Sequence, residues 1–186
     1  MTEEQAAAAR VEHAEAKAPP NETESGSDTG PTTVEREAQL ARVPFFEGLT
    51  PEALTMIAQV TTEEAYPYGT RIFQYGDPGD KLYIILEGKV RISREVGGMG
   101  EEALAVLGAG EIFGEMSLLD ESPRSAGAIA HEKCRLLVIT KDAFDDLLFL
   151  HKDLAYEVLW SCVRMLAARL RETNDKLTFL STSGRF

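Results

Sequence analysis

The amino-acid sequence predicts a mainly β protein: an antiparallel β-roll, of jelly-roll type, with flanking helices and a long C-terminal helix. One observation is that residues 63–140 consist of short apolar or alternating segments separated by glycine-containing turns, with no long helical pattern between them. Strands at this spacing are typical of antiparallel sandwiches and barrels. The other is that Asp153–Leu177 lacks proline and glycine and repeats its apolar residues at helical intervals.

The first 38 residues are predicted to form a disordered, acidic and alanine-rich tail, with at most a transient helix over Glu3–Lys17. Their two strongly apolar residues, Val11 and Val34, cannot bury enough surface to offset the chain entropy lost on folding. The formal net charge of the chain is -12, and roughly half of it lies in this tail.

Order is predicted to begin near Glu37, with an apolar cluster over residues 40–49. Thr50 followed by Pro51 and Glu52 is typical of a helix start, since threonine caps free N–H groups and proline suits the first turn. This helix is expected to end near Val60. The predicted strands then span residues 70–74, 81–87, 89–95, 103–107, 125–130 and 135–139.

Two helices are predicted after the strands, over Lys141–Leu150 and Asp153–Leu177. The second carries a seam whose spacings alternate between four and three, as in a coiled coil. The seam residues are Leu159, Val163, Leu166, Leu170, Thr173 and Leu177. A second stripe of Val158, Cys162 and Met165 can face the β-roll. A helix that is apolar on two sides predicts a parallel two-fold homodimer; the alternative is a helix packed within one chain.

Composition excludes several classes of function. A basic face for nucleic acid is missing, and no apolar run approaches the ~18–20 residues of a membrane span. The N-terminus lacks a secretion signal, and Cys134 and Cys162 are expected to be reduced thiols of a cytoplasmic protein. The isolated histidines exclude a clustered metal site. Since Ser117 and Ser125 have no histidine near them in the motif, no enzyme activity is expected.

The segment Phe113–Ala126 carries the most specific chemistry. Gly114 permits close approach of the backbone to a ligand, and the short apolar run after it predicts one helical turn with free N–H groups. Arg124, fixed by the preceding proline, can grip a phosphodiester through two hydrogen bonds. Glu115 would repel a phosphate, so its expected partner is a donor such as a ribose hydroxyl. The competing interpretation is a simple Glu115–Arg124 ion pair across a surface loop.

This string resembles the phosphate-binding cassette of the cyclic nucleotide-binding domain family, whose pattern is Gly-Glu, a short apolar helix and then Pro-Arg-Ser/Thr/Ala-Ala. Here the pattern stands as Gly114-Glu115 and Pro123–Ala126. The turn and strand at Gly76–Gly88 and the lead-in segment at Phe45–Leu49 are also similar to the family. The resemblance covers residues 41–177 and implies a cyclic nucleotide as ligand and no enzyme activity.

The segment Arg169–Leu177 resembles the dimer helix of catabolite-activator-type regulators. That resemblance implies that Thr173 contacts adenine in its own subunit and that Asn174 reaches the site of the partner. As an alternative, the Thr173 hydroxyl bonds a helix carbonyl one turn back or specifies dimer register. Ser125, where a threonine often accompanies cGMP preference in the family, and the Thr173-Asn174 pair favour cAMP, with cGMP as the alternative.

These inferences define the expected organisation and site. Residues 1–38 form the tail, 39–150 the nucleotide-binding β-roll, 151–178 the dimerisation helix and 179–186 a segment similar to the hinge before a winged helix-turn-helix. The DNA-binding domain itself is lacking, so the expected function is a sensor that signals to an unidentified protein partner. Alternatives are an interaction module without ligand, or the N-terminal sensor fragment of a cAMP-dependent transcription regulator. The expected ligand-binding residues are Gly114, Glu115, Met116, Ser117, Arg124, Ser125, Thr173 and Asn174.

Overall fold

The computed structural model describes residues 32–97 and 100–183, which form five α-helices, one 3-10 turn and eight strands. In chain order they are α1 (Thr33–Leu40), the 3-10 turn (Pro44–Phe46), α2 (Pro51–Val60), β1 (Thr62–Tyr66), β2 (Arg71–Phe73), β3 (Lys81–Glu87), β4 (Val90–Val96), β5 (Gly100–Leu107), β6 (Ile112–Phe113), α3 (Glu115–Asp120), β7 (Gly127–Ala130), β8 (Cys134–Thr140), α4 (Lys141–Leu150) and α5 (Lys152–Ser183).

The strands form two four-stranded sheets, and every strand pair in them is antiparallel. The first sheet has the order β1-β8-β3-β6 and the second has the order β2-β7-β4-β5. In the first sheet all neighbouring strands are distant in sequence: Tyr83 of β3 pairs with Val138 on one side and with Phe113 on the other. The predicted antiparallel β-roll with a long C-terminal helix is therefore confirmed.

Strand β3 lies at the centre of the fold because both of its faces are buried. Leu82 and Ile84 pack with the helices, whereas Tyr83 and Ile85 pack with residues of the second sheet. Since successive side chains of a strand point to opposite faces, burial on both sides requires an uninterrupted apolar run. The sequence KLYIILE supplies it, and the strand pairs with β8 from its first residue to its last.

Residues 33–38, which were predicted to belong to the tail, are helical. Thr32 and Glu35 form a capping box at the start of α1. The helix is tied to α2, because Glu37 accepts a hydrogen bond from the Thr55 hydroxyl and Arg36 donates to the carbonyl of Thr61. These polar contacts stabilise α1, which has few apolar residues, and composition alone does not reveal them. The rest of the predicted tail, residues 1–31, lies outside the described residues.

Strands β1 and β6 were not predicted, for different reasons. β1 has the sequence TEEAY, which lacks an apolar pattern, and it is held at the edge of the first sheet by pairing with β8 from Thr62↔Val138 to Tyr66↔Cys134. β6 has only two residues, Ile112 and Phe113, so no periodicity could mark it. β6 nevertheless positions the site, because it delivers the chain to Gly114.

Helix α5 is apolar on two sides, as the sequence predicts. Val158 and Cys162 are buried against the roll and Met165 packs beside them, while the seam residues Leu159, Val163, Leu170 and Leu177 are exposed. The helix continues to Ser183, so Phe179–Ser183, in the segment expected to resemble a hinge, is helical; residues 184–186 are not described. No residue of this stretch breaks a helix, and the hydroxyls of Thr178 and Thr182 donate to carbonyls four residues back.

Candidate functional site

The Phe113–Ala126 segment forms a short helix, α3, preceded by a glycine in a left-handed conformation. Gly114 is the N-cap residue with φ 80°. A Cβ atom at this position would lie 2.7 Å from Arg124 Nη1 and 3.0 Å from the carbonyl oxygen of Lys81. Backbone angle and space therefore both require glycine here, because a side chain would displace the arginine that the segment contributes.

Arg124 is 2% exposed and is held from several sides. Its Nη1 donates to the Gly114 carbonyl at 2.8 Å, and its Nη2 donates to the Lys81 carbonyl at 2.7 Å. The guanidinium carbon lies 4.3 Å from the centre of the Phe73 ring, which is a favourable cation–π distance. These contacts fix the guanidinium plane before any ligand arrives.

The charge of Arg124 is only partly balanced. Asp80 Oδ1 lies 3.6 Å from Nη2, but that carboxylate is itself largely exposed. Burial lowers the pKa of the Arg124 guanidinium, and the nearby Tyr83, Asp80, Asp77 and Glu115 oppose that shift. Its Nε–H is buried and has no partner among the described residues. Buried donors are almost always paired, so this atom is suited to an acceptor supplied by a ligand.

The turn between β2 and β3 locks the end of the cassette in place. The Arg124 N–H donates to the Asp77 carbonyl at 2.8 Å, and the Gly76 N–H donates to the Arg124 carbonyl at 2.9 Å. Gly79 lies directly against α3, since a Cβ atom there would be 1.9 Å from the Cβ of Ser117. The turn and α3 can therefore pack this closely only because residue 79 is a glycine.

Replacing Gly79 with alanine is expected to destabilise the fold by about 1–3 kcal/mol, because the added methyl forces α3 away from the turn. The free energy of unfolding in urea measures this effect. Gly97→Ala is the matched control: among the described residues, apart from Gly97 and its chain neighbours, no atom lies within 4 Å of the place that its new methyl group would take, and its effect should stay within about 0.5 kcal/mol. Equal stability of the Gly79→Ala variant and the unsubstituted protein would contradict the close packing described above.

Glu115 is 4% exposed and is paired with an arginine from the long helix. Arg169 Nη1 lies 2.5 Å from Glu115 Oε1, and Arg169 Nη2 donates to the Ile112 carbonyl at 2.5 Å. Among the described residues, Glu115 thus pairs with Arg169 and Arg124 with Asp80. The competing interpretation of a Glu115–Arg124 ion pair is not what the structure has.

The remaining cassette residues divide between the surface and the interior. Ser125 is exposed, and its Oγ lies 3.7 Å from the sulfur of Met116, which is also exposed. Ser117 is buried beneath them. Together these residues border a pocket of about 90 Å³ between the two sheets, α3 and α5. Its lining comprises Phe73, Ile92, Leu107, Phe113, Gly114, Glu115, Met116, Ser117, Arg124, Ser125, Ala126 and Arg169.

Thr173 and Asn174 do not line this pocket in the single chain. Both are exposed on α5, one turn beyond Arg169, and the Thr173 hydroxyl donates to the Arg169 carbonyl at 2.8 Å. This is the contact expected of a threonine bonded within its own helix. The structure therefore brings six of the eight expected residues together and leaves Thr173 exposed on the seam and Asn174 exposed beside it.

Comparison with known proteins agrees with this geometry. Residues 63–151 match the family described as Cyclic nucleotide-binding domain. The crystal structure of a cyclic nucleotide-binding domain from Methylobacillus flagellatus superimposes with a TM-score of 0.70 at 31% identity, covering 78% of this chain and 82% of that one. The chain belongs to the cyclic nucleotide-binding domain family.

Relatives of this cyclic nucleotide-binding domain include catabolite-activator-type regulators. The Cyclic AMP receptor protein of Thermus thermophilus is 44% identical over 138 residues, which is 74% of this chain and 62% of that protein. The crystal structure of the Thermus thermophilus Catabolite Activator Protein matches with a TM-score of 0.65 at 41% identity, covering 74% of this chain and 63% of that one. The chain thus spans about three fifths of the length of these relatives.

Two further findings concern membrane spans and metal sites in this domain. Within residues 32–97 and 100–183, no helix combines the length and the apolar character needed to cross a bilayer. In the same ranges, no group of three or more histidine, cysteine or acidic side chains is arranged to hold a metal ion.

Sequence reasoning missed two side chains that line this pocket, Arg169 and Phe73. Arg169 continues the roll-facing stripe of Val158, Cys162 and Met165 with a spacing of four residues, so a charged residue at that place could have signalled a buried partner. Phe73 carried no comparable signal, because an aromatic residue in a strand is ordinarily part of the core. Only the folded structure places its ring over Arg124.

Proposed function

We propose that this chain binds cAMP in the pocket beneath α3 and acts as a sensor rather than as an enzyme. The observation that carries the proposal is Arg124: a buried guanidinium with fixed geometry, incomplete charge balance and an Nε–H that finds no acceptor within residues 32–97 and 100–183. A cyclic phosphodiester supplies both the negative charge and the acceptor oxygens that this group requires. The exposed hydroxyl of Ser125 follows directly in the chain and is the second donor for the phosphate.

Glu115 is proposed to hold the ribose. Its Oε1 is occupied by Arg169, and a carboxylate has further lone pairs that can accept from a hydroxyl. A hydroxyl of the sugar would then bond to an acceptor that is already fixed in orientation by the long helix. The same ion pair connects the cassette to α5, so that ligand binding and the position of the helix are linked.

Recognition of adenine is proposed to need a second copy of the chain. Thr173 lies on the seam of α5 between Leu170 and Leu177, Asn174 follows it, and all four residues are exposed. A parallel dimer along this seam would place the two polar residues near the base, with Thr173 serving its own subunit and Asn174 the partner. The Thr173 hydroxyl already donates to Arg169, and its lone pairs are free to accept from the adenine amino group.

Leu170→Asp is expected to dissociate the proposed dimer, because it places a charge in the centre of the apolar seam. Sedimentation velocity should show a monomer for this variant and a dimer for the unsubstituted chain. Affinity for cAMP should fall about tenfold or more, since the residues that contact the base would be lost with the partner. Arg171→Asp, one residue further along the helix, is the control for the charge itself and should remain dimeric. If the unsubstituted chain is a monomer and binds cAMP no more tightly than Leu170→Asp does, a site shared between two subunits would be contradicted.

The output is proposed to be a change in the dimer helix that a protein partner detects. Phosphate would hold the cassette and the base would hold α5, so ligand favours the state in which both contacts exist. Both cysteines of the chain are buried free thiols, which fits the cytoplasmic location that we propose. An interaction module without ligand was expected to pair Glu115 with Arg124, and the pairing of each with another residue favours the ligand-binding function.

Thermal unfolding with a panel of nucleotides tests the proposed function. Ligand present at about a hundred times its dissociation constant adds about 2.7 kcal/mol of stability, which is readily measured as a rise in Tm. The expected order is cAMP first, cGMP second, and no shift for 5′-AMP or a cyclic dinucleotide. An unchanged Tm with all four nucleotides would favour the ligand-free interaction module.

A further inference from the structure

Met116 combines exposure with a position at the mouth of the nucleotide pocket. Met116 is 46% exposed, although it follows directly after the buried Glu115. Its sulfur lies 3.7 Å from the Oγ of Ser125, and both residues line the same pocket as Arg124. The thioether is therefore accessible to solvent and next to the hydroxyl proposed to bind the phosphate.

A thioether in this position is open to oxidation by peroxides. A sulfur lone pair attacks one peroxide oxygen, the O–O bond breaks, and the products are the sulfoxide and water, or an alcohol from an organic peroxide. The sulfur is oxidised and the peroxide is reduced, so no other reactant is needed. Methionine sulfoxide reductases return the sulfoxide to the thioether, which makes the change reversible.

We propose that Met116 is a redox modification site whose sulfoxide weakens nucleotide binding, an inference that rests on the proposed function. The new oxygen lies one bond length from the sulfur, which brings an acceptor within hydrogen-bond reach of Ser125 Oγ. Ser125 then donates to the sulfoxide instead of to a phosphate oxygen. The sulfoxide oxygen also carries partial negative charge at the place where the phosphate would approach.

The other described sulfur atoms are less accessible. Met56 and Met165 are only partly exposed and pack against the core, so their oxidation should be slower. Cys134 and Cys162 are buried, and burial raises the pKa of both thiols, that of Cys162 to about 11. A thiol kept protonated in this way is a poor nucleophile toward peroxide. Among these residues, Met116 is the first expected to react.

The test compares nucleotide affinity before and after hydrogen peroxide treatment of the whole chain. Peptide mass spectrometry follows the sulfoxide at each methionine, and calorimetry with cAMP and cGMP follows affinity. Met116 should oxidise faster than Met165, and affinity should fall about tenfold, the loss of one hydrogen bond to a charged group. Methionine sulfoxide reductases A and B should restore it, whereas dithiothreitol, which acts on oxidised thiols, should not.

Three variants, each compared with its own untreated form, separate the cause from other damage. Met116→Leu and Ser125→Ala should each lose most of the peroxide effect, and Met165→Leu should retain it. Full affinity after complete oxidation of Met116, or an equal loss in Met116→Leu, would overturn the inference while leaving the proposed function intact. An untreated chain that binds neither nucleotide would overturn the proposed function and this inference with it.

Discussion

Replacing Arg124 with alanine should weaken cyclic nucleotide binding by about 2–5 kcal/mol, which is the cost of removing one partner of a desolvated charge pair. In affinity, this corresponds to a loss of roughly thirtyfold to several thousandfold. The loss should be large because Arg124 is buried and its guanidinium is held in one geometry by two carbonyl groups and the Phe73 ring. Calorimetric titration of both proteins with cAMP measures it.

Arg124 also supports the fold, and the experiment must separate the two roles. Its removal leaves the carbonyls of Gly114 and Lys81 without their donors, so the variant should also unfold more easily. Arg124→Lys keeps the charge but loses the fork geometry, and it should restore only part of the affinity. Arg94→Ala is the matched control, because Arg94 lies over the Tyr75 ring at an exposed site. Full cAMP affinity in a folded Arg124→Ala protein would contradict the site.

Glu115→Gln should have the second largest effect, because it breaks the ion pair that joins the cassette to α5. Glu115 is buried and Arg169 is half-buried, so removing the carboxylate leaves a charge without its partner. The expected cost is about 2–4 kcal/mol in the free energy of unfolding, near the range known for broken buried pairs. Nucleotide affinity should fall as well, since the proposed ribose acceptor is weakened.

A double-mutant cycle with Arg169→Gln tests whether the two residues act as a unit. If they do, the double variant should lose less stability than the sum of the single losses. Glu172→Gln removes the exposed Glu172–Lys176 pair on the same helix and should leave stability unchanged within error. Additive losses at Glu115 and Arg169 would contradict the proposed link between ligand and helix.

The central parts of the fold and the cassette could be predicted because their signals are local. KLYIILE is apolar throughout its interior, and a strand buried on two faces needs that pattern. The cassette is contiguous in sequence, so Gly114, Glu115, Arg124 and Ser125 could be identified before the chain was folded. The seam of α5 could be predicted for the same reason, because its repeat lies within one continuous segment of the sequence.

The parts that could not be predicted depend on contacts between distant segments. The pairing of Arg169 with Glu115 joins residues 54 positions apart, and Arg124 reaches the Lys81 carbonyl across 43 positions. Helix α1 is polar by composition and is held by Arg36 and Glu37 reaching across to α2. β1 forms because it pairs with β8 at the edge of the first sheet, rather than because its own residues favour a strand.

Calorimetric titration of the unsubstituted chain with cAMP, set beside 5′-AMP, tests the central claim most directly. The two ligands share base and sugar, and they differ in whether the phosphate is a cyclic diester that fits between Arg124, Ser125 and Glu115. We predict saturable binding of one cAMP per chain, and binding of 5′-AMP at least about a hundredfold weaker. No measurable binding of cAMP, or equal affinity for the two, would contradict a cyclic nucleotide site in this pocket.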